Sequence, residues 1–298
     1  MPQTPVFTVD YVPQREWGVG GRRLFIMLAL YFGGIGAGLY LVSLLAGYPQ
    51  AALLGIFIVG IAKSISHILF LGRPGRFWRA VWRPQSSWIS RGLIFMVLFV
   101  LSGLGYLLPG YSAFTWLPWT VQGAFGGVLF WVSIVFAFLT IVYTGLALNR
   151  TAIPFWNQSL LPVLFLTISL ATGATIAHLL LHLSPQVGVN VSVLNQSILW
   201  MGWGTLVLLF FYFWNAYTVN LASQRSVRYL TMEREGILYF YGLFLLLGFL
   251  FPLVVATINI VIEVNSILFV IASCMEIVIG ALLFRYLILR GGIFAPIA

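Results

Sequence analysis

Charge is what this 298-residue chain has least of: Asp, Glu, Lys and Arg together make up 7% of it, with one lysine, six carboxylates and three histidines. The 61% of hydrophobic residues and 16% of aromatics are more apolar surface than a soluble domain can bury, and long uncharged runs recur throughout. The chain therefore reads as an all-α polytopic membrane protein. Cysteine is nearly absent too. The single Cys274 lies inside an apolar run, which excludes disulfides within the chain and any cysteine-ligated zinc or iron–sulfur centre. Such a cluster would have to belong to a partner. The net charge of +9 does not point to nucleic acid, because the basic residues sit in short segments between apolar runs. Internal symmetry of the kind that marks many transporters is also missing.

What is present organises itself as eight apolar stretches, each long enough for a hydrocarbon core of roughly 30 Å. They run over about 24–45, 50–71, 92–109, 121–148, 157–183, 197–221, 236–259 and 266–289. The predicted organisation is an N-terminal surface arm (1–23), an eight-helix transmembrane domain (24–290) and a short tail (291–298). The arm carries Asp10, Arg15, Glu16, Arg22 and Arg23. The run after it is about 22 residues long and lacks a small-residue cleavage site, so it reads as a helix that stays in the membrane rather than a signal peptide. Thirteen of the fifteen basic residues fall in the arm, the tail and alternate loops, five of them in the 72–91 loop. By the positive-inside rule both termini are cytoplasmic, in an inner membrane.

Polar chemistry collects between Lys63 and Gly92. Lys63 and His67, four apart, share a helix face. An ammonium in hydrocarbon costs roughly 3 kcal/mol or more, so Lys63 either snorkels to the interface or faces a polar cavity beside a ligand. The loop that follows, LGRPGRFWRAVWRPQSSWISRG, holds Arg73, Arg76, Arg79, Arg83 and Arg91 with Trp78, Trp82 and Trp88. Its spacing of three suggests an amphipathic interfacial segment, suited to anionic lipid or to an acidic protein surface. YFGGIGAGLY in the first helix provides close helix packing or room for a flat ring. His178 and His182 stand four apart near the other membrane side; a b-haem usually takes one histidine from each of two helices and no other helix offers one there, so haem is not expected, and no metal. The sixth helix is aromatic on all sides, as lipid contact or core. Glu276, in mid-membrane, is either a protonated acid bonded within the bundle or part of a proton route, and it stands too far from Arg285 along the helix to pair with it.

The order and spacing of Leu71, Gly72, Arg73, Pro74, Arg76, Phe77, Pro84, Ser87, Trp88, Arg91 and Gly92 resemble the NrfD and polysulfide reductase membrane-subunit family. So does a second block from Tyr143 to Gly173, with Gly145, Pro154, Trp156, Asn157, Pro162 and Phe165 between them, and more weakly Arg234 to Gly248. Related anchors place a histidine where this chain has Phe70; His67 lies one turn earlier. The resemblance implies an eight-helix subunit that exchanges electrons with menaquinone or ubiquinone through a ferredoxin-like iron–sulfur subunit. That partner in turn serves a molybdopterin enzyme or a multihaem cytochrome. On this reading Tyr143, His67, Lys63, Trp88 and Ser87 contact the quinone, Arg73, Arg76, Arg79, Arg83 and Arg91 dock the partner, and Glu276 lies on a proton route. Tyr143 lies at a depth similar to that of His67, so a phenol, an imidazole and an ammonium can meet one head group. The substrate chemistry would belong to a partner, and no catalytic residue is expected here. The competing readings are a proton-conducting or transporter subunit and a purely structural anchor.

Overall fold

The computed structural model describes residues 21–149, 151–262 and 266–294. Almost all of the 1–23 arm, with Asp10, Arg15 and Glu16, lies outside them, as do Arg150, Glu263 and the end of the tail. Eight helices are long and apolar enough to cross a membrane: Arg23–Leu45, Pro49–Phe70, Trp88–Gly110, Ala124–Leu148, Leu160–Leu183, Val191–Val219, Arg234–Ile262 and Ile267–Arg290. No strand occurs among the described residues. The spans have the predicted number and order, since a helix of this length satisfies all its backbone groups internally while crossing the hydrocarbon.

Their ends differ where caps decide them. The third span starts at Trp88 rather than 92, because the Ser87 hydroxyl accepts from the Ser90 N–H (3.3 Å) and so begins the helix ahead of Arg91. The sixth starts at Val191 rather than 197, with Asn190 Oδ1 accepting from the Val193 N–H at 3.3 Å. Between the sixth and seventh spans lies the helix Leu221–Met232, whose Ser223, Ser226, Val227 and Leu230 are buried.

The first and fifth spans form the inner pair: 78% and 67% of their apolar windows are buried, against 39% or less for the others. Glycine makes that centre possible. Gly38 and Gly173 bring the two backbones into direct contact, and a Cβ on Gly36 would stand 2.8 Å from the Gly55 carbonyl oxygen of the second span. Three stretches widen into π-helix: Ile58–Lys63 in the second span, Leu238–Leu250 in the seventh and Glu276–Gly280 in the eighth. The first of these ends on Lys63 and the last begins on Glu276, both buried. Wide turns of this kind redirect side chains and recur at functional positions.

Eight antiparallel crossings put the start of the first span and the end of the eighth on one membrane face, here termed the arginine face. The 3₁₀ segment Pro74–Trp82 and the helix Leu221–Met232 lie on it. The last turn of the eighth span is fastened there by Arg290, which donates to Tyr229 (2.7 Å), Tyr286 and Glu235 (3.0 Å).

Candidate functional site

Lys63 does not snorkel. Its side chain is fully buried, seven residues from the Phe70 end of its span, which is ~10 Å of helix rise. It lies against the first span where Gly33 leaves room: a Cβ there would come within 2.5 Å of Lys63 Nζ. Nζ donates to the Tyr143 hydroxyl at 3.1 Å and stands 5.0 Å from that ring's centroid. Tyr143, buried in the fourth span, is admitted by a second glycine: a Cβ on Gly92 of the third span would overlap its ring.

Because the Tyr143 oxygen accepts from Lys63, its own O–H points elsewhere, and it has no other hydrogen bond among the described residues. Lys63, Tyr143 and His67 all line one cavity of about 170 Å³. Its remaining walls are mostly apolar, with Ile26, Ile68, Phe77, Ile89 and Met96 among them. His67 and Tyr143 also line a second cavity of about 390 Å³, together with Ser86, Ser87, Trp88 and Trp156. All five residues assigned to a quinone from the sequence therefore border two cavities that share Ile26, His67, Phe70, Ile89 and Tyr143. His67 Nδ1 is buried without a hydrogen-bond partner, the kind of atom that a ligand oxygen or hydroxyl would satisfy. A planar ring with two oxygens fits this donor set: a phenol O–H, an imidazole and largely apolar walls.

The arginine loop roofs the cavity. In the 3₁₀ segment three residues make a turn, so Arg76, Arg79 and Trp82 share one row while Phe77, on another, lines the cavity below. Arg73, Arg76, Arg79 and Arg83 are exposed. Arg91 differs from them: its Nε donates to the Pro84 carbonyl (2.6 Å), its Nη2 to the Gln85 carbonyl (2.7 Å), and its guanidinium stands 4.6 Å from the Trp88 ring. It holds the loop's own shape.

The family described as "Polysulphide reductase, NrfD" matches residues 17–297, nearly the whole chain. The chain belongs to the NrfD family. Protein NrfD of Escherichia coli strain K12 is 26% identical over 302 aligned residues, which cover 90% of this chain and 93% of the relative. NrfD proteins are typically membrane subunits of multi-subunit oxidoreductase complexes, and this chain is a multi-pass membrane protein of that family.

Deeper in this NrfD bundle, two further charged side chains have separate settings. Arg285 is fully buried, admitted by Gly34, which directly follows the Gly33 that admits Lys63. Its guanidinium donates to the Leu30 carbonyl (3.1 Å), the Ala281 carbonyl (2.6 Å) and the Ser169 hydroxyl (3.1 Å). Glu276 lies within hydrogen-bond distance of the Thr175 (2.8 Å) and Thr172 (3.4 Å) hydroxyls and forms no ion pair among the described residues. The glycines of the first span thus serve both as helix contacts and as sockets for two cations. Gly33 and Gly34, expected from the sequence to serve helix packing or a flat ring, and Gly92, inside the quoted loop motif, each make room for a buried side chain, a role no local signal announces. Thr172 and Thr175, polar residues three apart in an apolar span, were the available signal for a Glu276 site.

Proposed function

We propose that this NrfD protein is the quinone-interacting subunit of its complex, passing electrons between menaquinone or ubiquinone and a ferredoxin-like iron–sulfur subunit seated on the arginine loop. The observation that carries the reading is the Lys63–Tyr143 hydrogen bond at the wall of an apolar cavity that His67, whose Nδ1 is buried without a partner, also lines. A bound quinone or quinol supplies two-electron, two-proton redox chemistry. The chain's own part is positional. Lys63 fixes the phenol so that the Tyr143 O–H is turned to donate to one ligand oxygen, and His67 meets the other. Trp88 and Ser87 border the adjoining cavity and hold the ring's surroundings. Apolar walls exclude water, which strengthens these few polar contacts.

Four exposed arginines above the cavity suit an acidic protein surface, and Phe77 joins that surface to the cavity wall, which keeps the electron path short. The iron–sulfur subunit would in turn serve a molybdopterin enzyme or a multihaem cytochrome. By the distribution of basic residues the arginine face is cytoplasmic, in an inner membrane. The test is quinol-linked turnover in Tyr143→Phe within the assembled complex: turnover should fall while the subunits still co-purify. Unchanged turnover at saturating and limiting quinol would remove Tyr143 from the site. Crosslinking from position 79 should capture the iron–sulfur subunit, and crosslinks arising only from the 184–196 loop would refute this docking.

A further inference from the structure

We infer that Glu276 is a proton-exchange site that opens on the face opposite the arginine loop, through Thr175, His178 and His182. The inference rests on reading Glu276 as a protonatable group of the bundle, and it stands whether or not the cavity beneath the arginines takes a quinone.

The hydroxyl of Thr175 carries the argument. It lies 2.8 Å from Glu276 Oε2 and 3.1 Å from the Ala171 carbonyl oxygen, yet it has one hydrogen to give. A carboxylate would compete with that carbonyl for the single proton. A carboxylic acid meets both contacts at once: Glu276 donates to Thr175, and Thr175 donates to Ala171, whose carbonyl also closes the helix. With no cation paired to it, a buried Glu276 in the bundle interior is also far cheaper neutral than charged. The same hydroxyl can accept from the acid on one side and release toward another acceptor, which is what a relay requires.

That acceptor stands one turn on. Along the fifth span one row of polar residues runs Ser169, Thr172, Thr175, His178 and His182, in steps of three or four that keep neighbours about 5–6 Å apart. His178 Nδ1 is buried with no hydrogen-bond partner, and Asn195 of the sixth span stands beside the ring. His182 lies next to the Leu183 end of the span, on the opposite face. Each of these imidazoles has one ring nitrogen that can accept a proton and another that can give one up.

Toward the arginine face the order of contacts is different. Thr172 contacts Glu276, but Ser169 accepts from Arg285, and Arg285 is bonded to Leu30 and Ala281 and rests against Gly34, next to the Lys63 socket. A fixed cation therefore separates Glu276 from the Lys63–Tyr143 site. Protons reach Glu276 from the His182 side and do not leak onward past Arg285.

The experiment uses the full chain in lipid nanodiscs and follows infrared absorption of carboxylic acids after transfer to D2O. A C=O stretch that disappears in Glu276→Gln identifies the acid. In Thr175→Val that band should move to higher frequency, having lost a hydrogen bond. In His178→Ala and, separately, in the more peripheral His182→Gln, its hydrogen–deuterium exchange should slow about tenfold or more, and added imidazole should restore the rate in His178→Ala. Lys63→Met and His67→Leu should exchange at the wild-type rate. Wild-type exchange in both histidine variants, or slowing by Lys63→Met, overturns the route. The absence of any band that depends on Glu276 overturns the protonated-acid reading beneath it.

Discussion

Replacing Tyr143 by Phe and Lys63 by Met should harm the protein unequally, and the double variant should fall out of line with their sum. Lys63 Nζ is fully buried and its one hydrogen bond among the described residues is to Tyr143, at 3.1 Å. Tyr143→Phe leaves a buried ammonium without that partner, and losing a hydrogen bond to a charged group costs about 1.5–3 kcal/mol. Lys63→Met takes the charge away instead and leaves a phenol that still borders a cavity, at a cost of about 1 kcal/mol, the net worth of an ordinary hydrogen bond. With both changes no charge is stranded, so the double variant should be more stable than Tyr143→Phe alone by roughly 1 kcal/mol, and the two single costs together should exceed that of the double by roughly 2 kcal/mol, a coupling typical of contacting residues. The assay is thermal or denaturant unfolding of the four proteins in one detergent. Quinol-linked turnover supplies the second readout: it should fall in both single variants and stay low in the double, so that stability returns without activity. Equal single effects that add in the double variant would show that Tyr143 does not hold the Lys63 charge.

Gly92→Ala places a methyl group inside the Tyr143 ring's space; overpacking of that kind costs about 1–3 kcal/mol, and turnover should drop at least as far as in Tyr143→Phe, measured in the assembled complex. Changing Arg76, Arg79 and Arg83 together to Gln should weaken co-purification of the iron–sulfur subunit and flatten its salt dependence, while Arg91→Gln should act on the stability of the isolated chain, because Arg91 bonds to its own loop. Optical spectra of the purified chain should show no stoichiometric b-type haem; such a spectrum would contradict the reading of His178 and His182 as proton carriers.

Hydrophobic runs made the eight spans legible, because length and lack of charge are composition signals that a window of residues carries on its own. Where the spans begin was less so: the third includes Arg91 because a serine cap and two loop carbonyls accommodate it, and both partners are conformational rather than compositional. The widened turns ending at Lys63 and beginning at Glu276 were not legible, since π- and α-helix use the same residues. The spacing of Lys63 and His67 correctly placed both on one face, and both line the same cavity. The burial of Lys63 could not be read from its own span, because it depends on a glycine thirty positions earlier in a different helix. The separate settings of Glu276 and Arg285 agree with their distance along the helix, but the threonines and the serine that receive them lie more than a hundred residues away in sequence.

The two sockets on the first span have a consequence for how the chain is made. Arg285 Nε bonds to the Leu30 carbonyl across 255 residues, so a group presented by the first helix to emerge is answered only by the last. A span bearing an unmatched arginine or lysine enters a bilayer poorly on its own, by a few kcal/mol per charge. The second span finds its glycine at once, in the helix just before it. The eighth must wait for the seven before it, and its guanidinium then joins the first span to the eighth. A truncated product lacking the last span would leave the groove at Gly34 open to lipid and the Ser169 hydroxyl without the guanidinium that bonds to it.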